Sequence, residues 1–100
     1  MKTLRITLPA SQDLNDITDY FLAQSIEAGD RFVTAFNQRC IQLARYPYIG
    51  KSYAHLRPNL RGLGLMNYLI FYRVIDDHIE ILRVISGYRN LQEIFADAND

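Results

Sequence analysis

Polar and apolar residues alternate from Thr3 to Leu8, with Leu4, Ile6 and Leu8 on one side, which predicts a half-buried strand ended by Pro9. The period then changes. Leu14, Ile17 and Phe21 recur at helical spacing while Asp13, Asp16 and Asp19 fall elsewhere, and Ser11 can accept a hydrogen bond from an unpaired amide, so a first helix is predicted over about Ala10 to Gln24. Ser25 is suited to cap a second helix, with Glu27 and Asp30 at its positive end. Its apolar stripe, from Ala28, Phe32 and Phe36 to Cys40, Leu43 and Ala44, runs until Pro47 marks the stop. Two helices with so short a connection form a hairpin whose stripes need a common cover.

Pro47 to Pro58, with Gly50 and Ser52 inside it, reads as a loop of about a dozen residues, a length that is often functional. Three strands follow: a short one near Leu60 to Leu63, a strong one over Asn67 to Ile75, and another over His78 to Ser86. Asp76 and Asp77 separate the last two as a tight hairpin turn. In the central strand Tyr68, Ile70, Tyr72 and Val74 share one face and Leu69, Phe71, Arg73 and Ile75 the other, so both faces are largely apolar and the strand is expected to be buried. A short helix at Asn90 to Ala96 is the last element expected. The predicted architecture is α+β: a strand, two helices and three strands, with the helix hairpin packed on a small, mostly antiparallel sheet.

A chain of 100 residues bounds this to one domain, residues 1–100, without repeat or linker. No apolar run approaches the length of a membrane span and the N-terminus does not read as a signal peptide. One cysteine excludes an intrachain disulfide and a thiolate metal cluster, which fits a reducing, cytoplasmic setting. Formal charge is zero but unevenly spread. Residues 1–30 carry net −3 and residues 74–100 net −4, while Arg31, Arg39, Arg45, Lys51, Arg57, Arg61 and Arg73 give the middle +7 with no acid at all. Either this segment steers an acidic partner, or its side chains point to different faces and only solvate the surface.

Catalytic chemistry is sparse. His55 and His78 are the only imidazoles, and a lone histidine in a loop or at a hairpin is more often solvated than catalytic. Cys40 lies on an apolar stripe, where a thiol behaves as a small hydrophobe. Asp76 and Asp77 read as turn residues, Asp97 and Asp100 fall in a tail expected to fray, and no phosphate-cradling loop, dinucleotide fingerprint or zinc spacing occurs. No catalytic set, metal site or cofactor is therefore assigned. What remains is a group of arginines, Arg57, Arg61, Arg73, Arg83 and Arg89, whose planar forks suit carboxylate or phosphate. Some of them could equally cover apolar surface with their stems, and Arg73 and Arg83, on adjacent strands, could face each other and need an acid from elsewhere.

Several stretches taken together carry a resemblance: Tyr68-Leu69-Ile70-Phe71-Tyr72-Arg73-Val74, Ile79-Glu80-Ile81-Leu82-Arg83-Val84-Ile85, and Gly87-Tyr88-Arg89-Asn90-Leu91 through to Phe95. Asp13-Leu14, Ile17 and Tyr20 in the first helix and Pro47 with Ile49-Gly50 support it. The chain resembles the ParE toxins of type II toxin–antitoxin systems, within the wider RelE superfamily, over nearly its whole length. The resemblance implies a toxin neutralised by a cognate antitoxin, in a hetero-oligomer, whose partly disordered segment folds along the toxin's helices and sheet. It implies one of two activities: RelE-like members cleave messenger RNA on the ribosome, and ParE-like members poison DNA gyrase.

RelE-like nucleases use a central-strand arginine, basic groups on the strand before it, an arginine after the last strand and often a C-terminal tyrosine. Matching Tyr68 and Tyr72 to that pattern puts Leu69 at the arginine position and Phe95 at the tyrosine position, whereas Arg89 and, nearby, Arg61 match the others. Losing two such groups costs several powers of ten in rate, since each is worth roughly 10²–10⁴. The expectation is a binding inhibitor of gyrase that contacts its target through Arg83, Tyr88, Arg89, Asn90 and Phe95. Lys51, Arg57, Arg61 and Arg73 are assigned to antitoxin binding or to a phosphate-binding remnant. Alternatives are a ribosome-dependent endoribonuclease built from Lys51, His55, Arg61 and Arg89, and a non-toxic remnant that only pairs with its antitoxin.

Overall fold

The computed structural model describes residues 1–95; the predicted end of the last helix at Ala96 and the acids Asp97 and Asp100 lie outside them. Strand β1 (Thr3–Ile6) stops two residues before its predicted end because Thr7 turns the chain into helix α1 (Leu8–Gln24). Thr7, in extended conformation, caps the helix by accepting the Ala10 amide, with Pro9 in the first turn, where no amide hydrogen is needed. The predicted cap Ser11 instead lies inside the helix, and Pro9 starts α1 as much as it ends β1.

Ser25 alone joins α1 to α2 (Ile26–Arg45). Its backbone N–H closes α1 on the Phe21 carbonyl, and its hydroxyl opens α2 by accepting the Ala28 amide at 3.0 Å. Gly29 lets the two helices meet, since a Cβ there would lie 2.5 Å from the Leu22 side chain. The Tyr46 amide closes α2 on the Gln42 carbonyl just before Pro47.

The expected long loop contains a further strand, β2 (Lys51–Ser52), paired with β3 (Arg61–Leu65). Strands β4 (Tyr68–Ile75) and β5 (His78–Ser86) complete a five-stranded sheet in the order β1-β5-β4-β3-β2, and helix α3 (Leu91–Phe95) ends the described chain. Only β1 and β5 run parallel; the other neighbours are antiparallel. The predicted α+β architecture therefore stands, with one strand more. Two residues, Asp76 and Asp77, connect β4 to β5 as expected, and Asp76 takes a positive φ of 47°, which aspartate tolerates.

The two faces predicted for β4 are both used. Ile70 and Tyr72 join Ile79, Ile81 and Val84 of β5 beneath Ile17 of α1 and Phe32, Phe36 and Leu43 of α2. On the opposite face Phe71 and Ile85 pack with Leu60 and Phe95, bordered by Tyr53, Leu56, Leu69 and Ile94. Leu82 interrupts the alternation of β5: Phe71 is paired with Arg83 and Tyr72 with Ile81, so Leu82 is a bulge residue. The bulge switches which side chains face the helices, so Ile81 and Val84 join one cluster while Leu82 and Ile85 join the other. Cys40 packs against the helix-side core, and burial pushes its thiol up to about 11, so it stays protonated at neutral pH, as an inert core residue should.

Candidate binding surface

The 47–50 turn is fastened to the sheet from below. Tyr72, wholly buried in β4, donates its hydroxyl to the Pro47 carbonyl at 2.8 Å and accepts the Gly50 amide at 2.9 Å. A Cβ on Gly50 would meet that hydroxyl at 2.6 Å, so only glycine allows the approach. Arg61 of β3 closes the same turn, donating to the Gly50 carbonyl at 2.8 Å, with its guanidinium 5.1 Å from the Tyr48 ring centre. Removing the hydroxyl in Tyr72→Phe strands an amide and a carbonyl, and is expected to cost about 1–2 kcal/mol. Urea denaturation at constant m-value measures this; an unchanged midpoint would mean that the turn does not depend on Tyr72.

Arg73 and Arg83, which could have faced each other, each find an acid within the chain. Arg73 donates Nε to Glu80, its cross-strand neighbour, at 2.8 Å. Arg83 donates Nε and Nη2 to the two carboxylate oxygens of Asp13 in α1 at 2.7 and 3.0 Å. Hydrogen bonding to Asp13 is the main reason that the Arg83 pKa lies above its ordinary value. Asp13 also accepts the Val84 amide at 3.0 Å, and Thr7 donates its hydroxyl to the β5 carbonyl of Ile81 at 2.9 Å. Thus, where β1 ends, the side chains of Thr7 and Asp13 cover the edge of β5 that would otherwise be open to another strand.

The residues assigned to target contact separate into two groups. Tyr88, Arg89 and Asn90 form the exposed turn after β5, and Tyr88 is 87% exposed. Asn90 accepts the Glu93 amide at 3.4 Å, while the Arg89 amide closes the turn on the Ser86 carbonyl. Phe95, by contrast, is only 6% exposed and its ring meets Phe71 edge-on at 5.0 Å. It serves as the anchor of α3, not as an exposed contact. Arg83 is held between strand and helix, so it is not a freely presented fork either.

The cationic residues Lys51, Arg57, Arg61 and Arg73 do not converge. Lys51 is paired with Gly62 and Arg61 with Ser52 and Tyr72, so Lys51 and Arg61 point to opposite faces of the sheet. Lys51 lies 5.7 Å from the Tyr53 ring, and His55 is exposed beside the same ring. The set Lys51, His55, Arg61 and Arg89 is therefore split by the sheet. Arg57 instead borders a groove with Arg83, floored by Leu82, Ile94 and Phe95. Leu69 and Phe95, at the positions matched to nuclease groups, both belong to the apolar cluster under α3.

Asp13 is a site residue that the sequence does not mark: it lies off the apolar stripe, and no local signal points to a partner 70 positions away. Among the described residues no group of three or more potential ligands could hold a metal ion, and no helix is long and apolar enough to cross a membrane.

Three comparisons bear on this arrangement. The profile of the family described as "ParE toxin of type II toxin-antitoxin system, parDE" matches residues 4–91. Toxin ParE3 of Caulobacter vibrioides is 26% identical over 86 residues, covering 85% of this chain and 86% of that protein. A solved structure titled "Chromosomal ParDE TA system from P. aeruginosa" superposes with a TM-score of 0.70 at 26% identity, covering 86% of this chain and 96% of the other. The match spans α1, α2, strands β2 to β5 and β1 from its second residue, and on it the chain belongs to the ParE toxin family of type II toxin–antitoxin systems.

Proposed function

We propose that this ParE-family protein acts in the cytoplasm as a toxin that inhibits DNA gyrase by binding it, and that a cognate antitoxin neutralises it by forming a complex. The observation that carries the reading is the apolar sheet face under α3. Leu69 and Phe95 pack there with Phe71 and Ile85, where a nuclease of the superfamily would need a charge-stabilising fork and a hydroxyl. Lys51 and Arg61 are on opposite faces, which disfavours a rearranged ribonuclease site. Exposed Tyr88, Arg89 and Asn90 supply the amphipathic and bidentate groups that commonly anchor interfaces, and they are the proposed target contact.

The test is inhibition of gyrase supercoiling by the purified chain, together with growth arrest on induction. Wild type should inhibit, and the double variant Tyr88→Ala/Arg89→Ala should inhibit at least about tenfold less at unchanged stability, since interface anchors cost 2 kcal/mol or more when truncated. Unaffected supercoiling in the absence of antitoxin would refute gyrase as target. Codon-positioned cuts in translated messages that vanish in Arg89→Ala would replace the reading by ribosome-dependent nuclease, and normal growth on induction would leave a non-toxic partner of the antitoxin.

A further inference from the structure

Between the 47–50 turn and the paired strands β2 and β3 lies a cleft of about 210 Å³, with Tyr48, Ser52, Asn59, Arg61 and Val74 among its lining residues. Ser52 and Arg61 are cross-strand partners and share the sheet face of Tyr72, which is the face of the helix hairpin. Leu69 and Phe95, at the positions matched to nuclease groups, belong to the opposite face, so the cleft is a separate place on the molecule. Nη1 of Arg61 donates to the Gly50 and Tyr48 carbonyls at 2.8 and 3.4 Å, which anchors the guanidinium. Its Nε and Nη2, the edge that grips an oxyanion with two parallel bonds, have no hydrogen-bond partner among the described residues. The Ser52 hydroxyl accepts the Ala54 amide at 3.3 Å and keeps its own hydrogen to donate, and Asn59 adds an exposed amide. Among the described residues no acid lines the cleft, and none occurs from Arg31 to Ile75.

We propose that this cleft binds the phosphate group of a nucleotide, gripped by Nε and Nη2 of Arg61, with Ser52 and Asn59 as further donors and the base laid on the Tyr48 ring. A carboxylate has two oxygens in one plane, which the guanidinium edge alone satisfies. A phosphate has a further oxygen outside that plane for the hydroxyl and the amide. The cleft admits a phosphate and part of a sugar, so the base has to lie at the rim. There Tyr48 is 62% exposed, with the Arg61 guanidinium 5.1 Å from its ring centre, and such a ring is a platform on which any base stacks. The same phosphate chemistry is carried by a free mononucleotide and by a nucleic-acid backbone, and the experiment separates the two. The site is defined on this chain alone and does not depend on gyrase being the target.

The probes are thymidine 5′-monophosphate, thymidine, inorganic phosphate, acetate and a twelve-nucleotide oligothymidylate, titrated at constant ionic strength into the full chain while its amide NMR shifts are followed. The monophosphate should shift the amides of Ser52, Asn59 and Arg61 and bind at least about tenfold more tightly than thymidine. Arg61→Lys keeps the charge but loses the fork, and should weaken the monophosphate about tenfold. Asn59→Gly should weaken it about threefold without strain, since Asn59 sits at a φ of 64° that glycine adopts freely. Lys51→Gln, on the opposite face, should change nothing. Equal affinity for monophosphate and thymidine, acetate binding as tightly as inorganic phosphate, or Lys51→Gln weakening binding as much as Arg61→Lys would each overturn the proposal. If Arg61→Lys lowers the unfolding midpoint, because it also loosens the 47–50 turn, Asn59→Gly decides, and unchanged affinity in that variant overturns the site. Oligothymidylate binding much more tightly than the monophosphate, with the same dependence on Arg61 and Asn59, identifies a nucleic-acid backbone as the source. Equal affinity per site identifies a free nucleotide. Gyrase supercoiling is scored separately: its insensitivity discards the target reading and leaves the cleft, whereas indifference to phosphate discards the cleft alone.

Discussion

Replacing Asp13 by alanine is expected to lower the unfolding free energy by about 3 kcal/mol, because one carboxylate serves three donors. Two belong to the Arg83 guanidinium and the third is the Val84 amide. The variant leaves a largely enclosed guanidinium without its counter-ion and an edge amide without an acceptor, at the place where β5 has outrun β1. Asp13→Asn keeps an oxygen for Val84 while losing the charge, and should fall about midway. Urea denaturation measures both. Removing the cover also exposes strand edge, so Asp13→Ala should self-associate at concentrations where wild type does not, as light scattering would report. A midpoint for Asp13→Ala within error of wild type would show that Arg83 and Val84 find other partners at no cost.

Phe71→Ala should be more damaging still, at about 4 kcal/mol, the range for truncating a buried phenylalanine. Its side chain is fully enclosed on the sheet face away from the helices, 5.1 Å from the Tyr53 ring and 5.0 Å from the Phe95 ring. Truncation therefore removes the common support of the 53–60 segment and of α3. The turn at Tyr88 to Asn90 leads into α3, so proteolysis within residues 87–95 should accelerate before global unfolding does. Leu69→Ala, at the partly exposed rim of the same cluster, is the comparison and should cost less than half as much. If Phe71→Ala loses no more than Leu69→Ala, the second cluster does not contribute as a core.

This second cluster bears directly on the functional reading. Among the described residues the sheet face packed with Leu69, Phe71, Ile85 and Phe95 is apolar, and its rim carries guanidinium groups beside apolar side chains. Such a surface suits the protein binding proposed above. The proposed action by contact also tolerates the intramolecular pairing of Arg73 and Arg83, which holds them as fixed donors.

The sequence by itself determined what depends on neighbours a few positions apart. Helical periodicity located α1 and α2, Ser25 announced the junction between them, and the alternation along Tyr68 to Ile75 showed that β4 is buried on both faces. The stretches Tyr68 to Val74, Ile79 to Ile85 and Gly87 to Phe95, taken together, carried the resemblance to the family. Contacts between distant positions were decided only by the tertiary structure. A two-residue strand such as β2 has too few side chains to display a period, so its existence rests on Gly62 and Arg61 arriving opposite it. The choice of Thr7 over Ser11 as cap depended on where β1 met β5, and the Leu82 bulge on how β5 had to serve two cores. Which acid neutralises Arg83, and that Phe95 faces inward while Tyr88 faces out, followed from the docking of α1 and α3 on the sheet. Local propensity is encoded by near neighbours, whereas the pairing of charges and the enclosure of a ring are properties of surfaces that exist only once the chain has closed on itself.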